Sequence, residues 1–188
     1  MLSEAAMTVP LHVPILRRST TYLLLPLAAG AVVAVLLGVY GRIHQPTGQA
    51  IYTGPFASMI VMKVWLAAIA LGLALVQLFS ALLMYGRLPW PAPDWIGAFH
   101  RGIGSLAFIV TLPVAFHCLW ALGFQGHGVR VLAHSLFGCL FYGAFVAKVL
   151  TLTNRRVPGW ALPWVAGLLF SALVTAILTS AGWYLAGH

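Results

Sequence analysis

The sequence predicts an all-α integral membrane bundle of five transmembrane helices. Charged residues make up 6% of the 188-residue chain and hydrophobic residues 62%. Soluble domains carry about 25% charged residues, so too few remain here to coat a water-soluble globule. The apolar residues fall into five long runs, and about 18 or more such residues suffice to cross a bilayer as a helix. The basic residues cluster at the ends of these runs, where they meet headgroups and set orientation. The net charge of +8, from ten Lys and Arg against two acids, Glu4 and Asp94, would suggest a nucleic-acid partner in a soluble chain. In a membrane bundle it reads as headgroup contact, which excludes nucleic acid and leaves the lipid bilayer as the expected partner.

Residues 1–20 read as a cytoplasmic tail ending in Arg17 and Arg18. The first span covers roughly 21–40. A signal peptide would have an apolar region of about 7–15 residues and a small-residue cleavage site. This run is longer and ends at Tyr40 and Arg42, so it reads as a retained anchor. A polar, turn-rich loop at 41–55 leads into the second span, 56–84, which is long enough to tilt. Lys63 and Gln77 lie fourteen residues apart in it, so at about 100° per residue they share a face. The loop 85–97 holds three prolines and two tryptophans, Trp90 and Trp95, which suit the headgroup zone. The third span, 98–123, contains Pro113, which predicts a kink. The fourth covers 130–152, a basic loop follows at 153–160, and the fifth covers 161–185. With no internal repeat visible, 21–185 forms a single domain.

Five spans put the termini on opposite sides. Arg17, Arg18, Arg87, Arg101, Arg155 and Arg156 fall on one side, Arg42 and Arg130 on the other. The positive-inside rule then places the N-terminus in the cytoplasm and the C-terminus outside, across a bacterial cytoplasmic membrane.

Histidine within a membrane span is costly and marks a candidate functional site. By a rise of about 1.5 Å per residue, His117 should lie about 9 Å from the outer end of the third span and His134 about 6 Å into the fourth. Two imidazoles at similar depth on adjacent antiparallel helices would suit one metal between them, above all a haem iron. Gly138, one turn beyond His134, would give a porphyrin clearance, and Phe116, Trp120, Phe137 and Phe141 would pack on it. Lys63 should lie about 10 Å deep. No Asp or Glu occurs in any span to pair with it, so it reads as a haem propionate partner or as a snorkelling lysine. His100 falls at the cytoplasmic surface beside Arg101, and Lys148 stands where an inner histidine partner would be needed. His100 therefore reads as an interfacial histidine, or as a contributor to a quinone or propionate site.

Other features carry less. Cys118 and Cys139 should differ in depth by about 6 Å; they read as small buried apolar residues and not as a disulfide. Met59, Met62, Cys118 and the histidines would suit Cu(I), but no MxxxM or CxxC pair is present. Ser171, Thr175 and Thr179 recur every four residues and read as a helix-contact stripe.

Four segments together, HR at 100–101, TLPVAFHCLWALGF at 111–124, HSLFGCLFYGAF at 134–145 and MKVWLA at 62–67, resemble a family of small actinobacterial membrane proteins of uncharacterised function. That resemblance implies a multi-pass topology over nearly the whole chain and no activity. The histidines of spans three and four also resemble those of b-type cytochromes, including ferric-reductase-like and di-haem quinone-linked membrane cytochromes. Those families stack two ligand layers, whereas here Lys148 replaces the inner partner.

The expectation is a membrane b-type cytochrome-like protein with one haem b held by His117 and His134. Electron transfer would run near the outer face, with a quinone or a redox subunit as partner. No general acid, nucleophile or nucleotide-binding loop is visible. Two alternatives stand beside it: an accessory membrane subunit whose histidines tie helices together, and a small transporter using Lys63, His117 and His134 as a relay.

Overall fold

The computed structural model describes residues 19–187. The tail at 1–18, with Glu4, His12, Arg17 and Arg18, and the terminal His188 lie outside the described residues. The described chain is helical without a strand. Helix α1 is Leu24–Ile43, led in by a 3-10 turn at Thr20–Leu23; α2 is Met59–Met84; α3 is Ile96–His117, prolonged by a π turn at Cys118–Leu122. Helix α4 is Val129–Thr153; α5 is Ala161–Ile177, prolonged by a second π turn at Leu178–Gly182 and by Trp183–Leu185. Each of the five is long and apolar enough to cross a membrane. Their large apolar residues point outward, Trp164 at 76% and Leu25 at 71% exposure among them. A soluble protein would bury such groups; a lipid-facing surface displays them.

The helix ends differ from expectation by a few residues, for local reasons. The second helix begins at Met59 and not near 56, because Ser58 takes an extended conformation and its hydroxyl accepts from Val61 N–H, satisfying one of the orphan donors of the first turn. The first helix runs beyond Tyr40 to Ile43. It stops at His44, two residues before Pro46, whose ring drives the preceding residue out of helical geometry. Pro113 lies inside α3 without ending it, and the departure from α geometry comes five residues later, as the π turn beginning at Cys118.

Hydrogen bonds between loops place the two ends of the bundle. Ser19 N–H donates to Arg156 C=O, so the start of α1 and the α4–α5 loop share one end. Thr47 and Gly48 donate to Trp120 and Ala121, and Phe124 N–H donates to Gly41 C=O at 2.7 Å. The α1–α2 and α3–α4 loops therefore share the other end, called here the His44 end. Gly123 makes that junction possible: it holds φ at +69°, and a Cβ there would meet Gly41 O at 2.9 Å, so only glycine fits.

Helix α4 packs between α1 and α5, α2 packs along α3 and also touches α5, and the π turn of α3 closes onto α1. The five helices thus form a ring. The tightest crossing is α1 on α4, where Gly30 and Gly143 meet backbone to backbone. A Cβ on Gly30 would lie 2.5 Å from Gly143 O and 3.0 Å from Ala147 Cβ. Small residues at such a crossing let membrane helices approach closely enough for dispersion to hold them.

The expected close pairing of the third and fourth spans is not what forms. Helices α3 and α4 are absent from the closely packed pairs and face each other across the ring. Long side chains span the gap: Phe108 stacks on Phe145 with centroids 3.8 Å apart, and the Tyr142 hydroxyl lies 3.0 Å from both oxygens of Thr111.

Candidate functional site

The gap between α3 and α4 contains a cavity of about 120 Å³ toward the His44 end. All five helices contribute to its wall, with Leu37, Ala67, Thr111, His134 and Ile177 as one residue from each. Its polar groups are few: Thr111, Cys118, His134, Ser135, Tyr142 and Ser180. A largely apolar cavity with a few convergent polar groups is the usual form of a ligand site, though ligand pockets commonly reach about 300 Å³ or more.

His134 projects from the second turn of α4. Its Nδ1 lies 2.9 Å from Ala176 C=O on α5. A carbonyl only accepts, so Nδ1 carries the proton and, in the neutral ring, Nε2 presents its lone pair. That Nε2 faces Cys118 Sγ across the cavity at 3.9 Å. Lys63 of α2 interacts electrostatically with both Cys118 and His134. Three helices therefore bring an ammonium, a thiol and an imidazole to one level. Gly138, one turn along from His134, also lines the cavity, and a Cβ built on it meets nothing within 4 Å.

His117 sits at that level too, since it precedes Cys118, but about 100° away around the helix. It is 4% exposed and does not line the cavity. Its Nδ1 lies 2.8 Å from Pro113 C=O, one turn back in its own helix, so its Nε2 is likewise left with a lone pair. That Nε2 is buried without a hydrogen-bond partner among the described residues. Orphaned buried polar atoms are uncommon in native proteins, and redox or ligand sites are among their recurrent explanations.

The structure thus brings together His134, Lys63 and Gly138, adds Cys118, and leaves His117 at the right height on a neighbouring face. Cys118 was passed over as a small apolar residue, and its spacing from His134 in sequence gave no signal. Of the four aromatic residues expected around a porphyrin, Phe141 lines the cavity and Phe137 packs on the core beside it. Phe116 and Trp120 instead stack on each other, and His44 stacks on Trp120 and bonds its carbonyl at 3.2 Å. That group sits outside the cavity wall. His127 is exposed in the α3–α4 loop.

Among the described residues no group of three or more His, Cys, Asp or Glu is placed to hold a metal ion.

The model of a family of unknown function, DUF6529, matches residues 23–188. The chain belongs to the DUF6529 family. All five helices and every residue of the cavity wall fall within the matched segment, so the ring and its site belong to the DUF6529 unit as a whole. No curated protein and no solved structure matches this DUF6529 chain.

His100, at the opposite end, is built into a separate cluster. Ser80, 1% exposed, lies 2.7 Å from His100 Nδ1 through its hydroxyl, and Gln77 donates to the His100 carbonyl. Lys63 and Gln77 do lie on one face of α2, as their spacing required: the first reaches Cys118, the second His100. Ser171 is exposed, and the buried stripe of α5 is Ala172, Leu173, Ala176 and Ile177. The Ser171, Thr175 and Thr179 series is therefore not the contact face; Thr179 turns its hydroxyl back to Thr175 C=O at 2.6 Å.

Proposed function

We propose that this protein carries single electrons within a bacterial cytoplasmic membrane, by means of one haem b held between α3 and α4. In this reading the N-terminus is cytoplasmic, the His44 end faces outward, and His134 and His117 would hold the haem. The observation that carries it is the state of the two rings. Each donates Nδ1–H to a backbone carbonyl, the arrangement that orients a metal-ligating histidine, and the Nε2 of His117 has no hydrogen-bond partner among the described residues. The open space over Gly138 supplies a flank for the macrocycle, and Lys63 supplies the cation for a propionate in a chain with no carboxylate in any span.

When bound, the haem would supply a one-electron couple; two imidazole ligands would leave no open iron position for substrate. The protein's own groups do the rest. Ala176 and Pro113 hold the rings in one tautomer, Lys63 offsets negative charge, and the apolar wall excludes water. The 120 Å³ cavity is smaller than a porphyrin, and His117 lies beside it. Binding in this way requires α3 and α4 to part and the end of α3 to turn.

The test is the absorption spectrum of protein purified from haem-replete cells. A Soret band with sharp reduced α and β bands is expected, lost in both His117→Ala and His134→Ala and retained in Cys118→Ala. A colourless, well-folded protein overturns the proposal. A second reading, an accessory subunit without cofactor, draws on the His134–Ala176 bond, which ties α4 to α5. It leaves His117 without a role, because among the described residues the only hydrogen bond of that ring stays inside α3.

A further inference from the structure

The end of the bundle opposite the cavity carries a second polar cluster. His100 of α3 is fixed through Nδ1. The Ser80 hydroxyl donates to Gln77 C=O at 3.1 Å, so it accepts from His100 Nδ1–H at 2.7 Å. In the neutral ring Nε2 then points away with its lone pair, and no described residue donates to it. Lys148 belongs to the same level. The Phe108–Phe145 stack sets α3 beside α4. From there His100 lies eight residues down α3, about 12 Å, and Lys148 three residues down α4, about 5 Å; the lysine stem covers the remainder. His100 interacts electrostatically with both Lys148 and Arg101. The Arg101 guanidinium folds back along α3, within 3.7 Å of a Cβ position on Gly97. Lys148 has no hydrogen-bond or ion-pair partner among the described residues. The chain's two carboxylates are Glu4, outside the described residues, and Asp94, exposed before α3.

Two cations thus stand within electrostatic range of a histidine acceptor where a membrane span reaches the headgroups, with no anion between them among the described residues. We propose that the His100, Arg101 and Lys148 cluster is a binding site for one anionic phospholipid with a hydroxylated headgroup, of the phosphatidylglycerol type. The phosphate lies against Lys148 and Arg101, a headgroup hydroxyl donates to His100 Nε2, and an acyl chain runs along the α3–α4 gap toward Phe108 and Phe145. This site does not depend on haem binding at the other end.

The experiment is native mass spectrometry of the full chain. Protein is exchanged into vesicles of phosphatidylglycerol, phosphatidic acid or phosphatidylcholine and released in detergent. Each basic residue near a surface favours an anionic lipid about fivefold, so phosphatidylglycerol should be retained at one per chain with about 30-fold preference over phosphatidylcholine. Lys148→Gln should cut that preference about fivefold. His100→Phe should keep anion preference but lose the advantage of phosphatidylglycerol over phosphatidic acid. Circular dichroism and thermal unfolding of each variant identify loss of fold, and Arg101→Gln, at an exposed position, repeats the Lys148 test with little risk to folding. Equal retention of all three lipids, an unchanged preference in folded Lys148→Gln and Arg101→Gln, or displacement of the lipid by inorganic phosphate would overturn the site.

Discussion

Replacing His117 by leucine separates a ligand from a structural residue. The ring makes one bond, from Nδ1 to Pro113 C=O, and leaves Nε2 buried and unpaired. Losing the bond costs about 0.5–1.5 kcal/mol, while removing the orphan recovers its desolvation penalty, about 1–3 kcal/mol. Leucine fills a comparable volume, and such exchanges usually cost less than about 1.5 kcal/mol. The net expectation for haem-free protein lies between about 2 kcal/mol of loss and about 2.5 kcal/mol of gain, so no large destabilisation is expected. The assay is equilibrium unfolding in mixed lipid and detergent micelles, on protein from haem-deficient cells. His134→Leu is the comparison, because it breaks a bond between helices; such bonds average about 0.6 and reach about 1.7 kcal/mol in membranes, so that variant should be destabilised. The reasoning would be refuted by a His117→Leu protein less stable than wild type by more than about 2 kcal/mol, since the native Nε2 must then have a partner within the fold.

Three further outcomes follow from the packing. Gly30→Ala should lose about 1–2 kcal/mol, because its Cβ would sit 2.5 Å from Gly143 O and overpacking of that kind costs about 1–3 kcal/mol; Gly167→Ala, whose Cβ meets nothing within 4 Å, should be neutral or slightly stabilising by the same unfolding assay. Gly138→Ala should leave stability unchanged, while Gly138→Phe should fill the cavity and abolish the Soret band without unfolding the protein, as read by absorption and circular dichroism. Arg130→Ala should destabilise the end of α5 by about 1 kcal/mol, since the guanidinium donates to Thr179 C=O at 2.7 Å and covers the Trp183 ring at 4.7 Å; faster amide exchange confined to the Leu178–Leu185 segment is the measurement.

Depth and face along single helices were legible in the sequence; the order of helices around the ring was not. Rise per residue placed His117, His134 and Lys63 at one level, and the contacts around Cys118 show that level for His134 and Lys63. The fourteen-residue spacing of Lys63 and Gln77 likewise predicted a shared face. The placement of α4 between α1 and α5 depends on the Gly30–Gly143 crossing, a match between distant segments that no one-dimensional pattern announces. Chain adjacency pointed to α3 as the partner of α4, and bilayer geometry does not require sequential helices to touch. The sequence alone does not pair Cys118 with His134, because that pairing depends on how α3 and α4 face each other. The α5 stripe was misassigned because hydroxyl periodicity was taken as a contact face, while Ala172 and Ala176, smaller still, do the packing.

The two π turns, Cys118–Leu122 and Leu178–Gly182, share the His44 end of the bundle. A turn closed from i to i+5 holds one residue more than an α turn, so each of these helices carries a surplus residue close to its terminus. Deleting one residue within either turn would leave an ordinary α-helix whose final segment still meets its partners. The same deletion one turn upstream of Cys118 would swing every later side chain of α3 by about 100°. Length variation among homologous chains should therefore gather at these two points and spare the helix interiors.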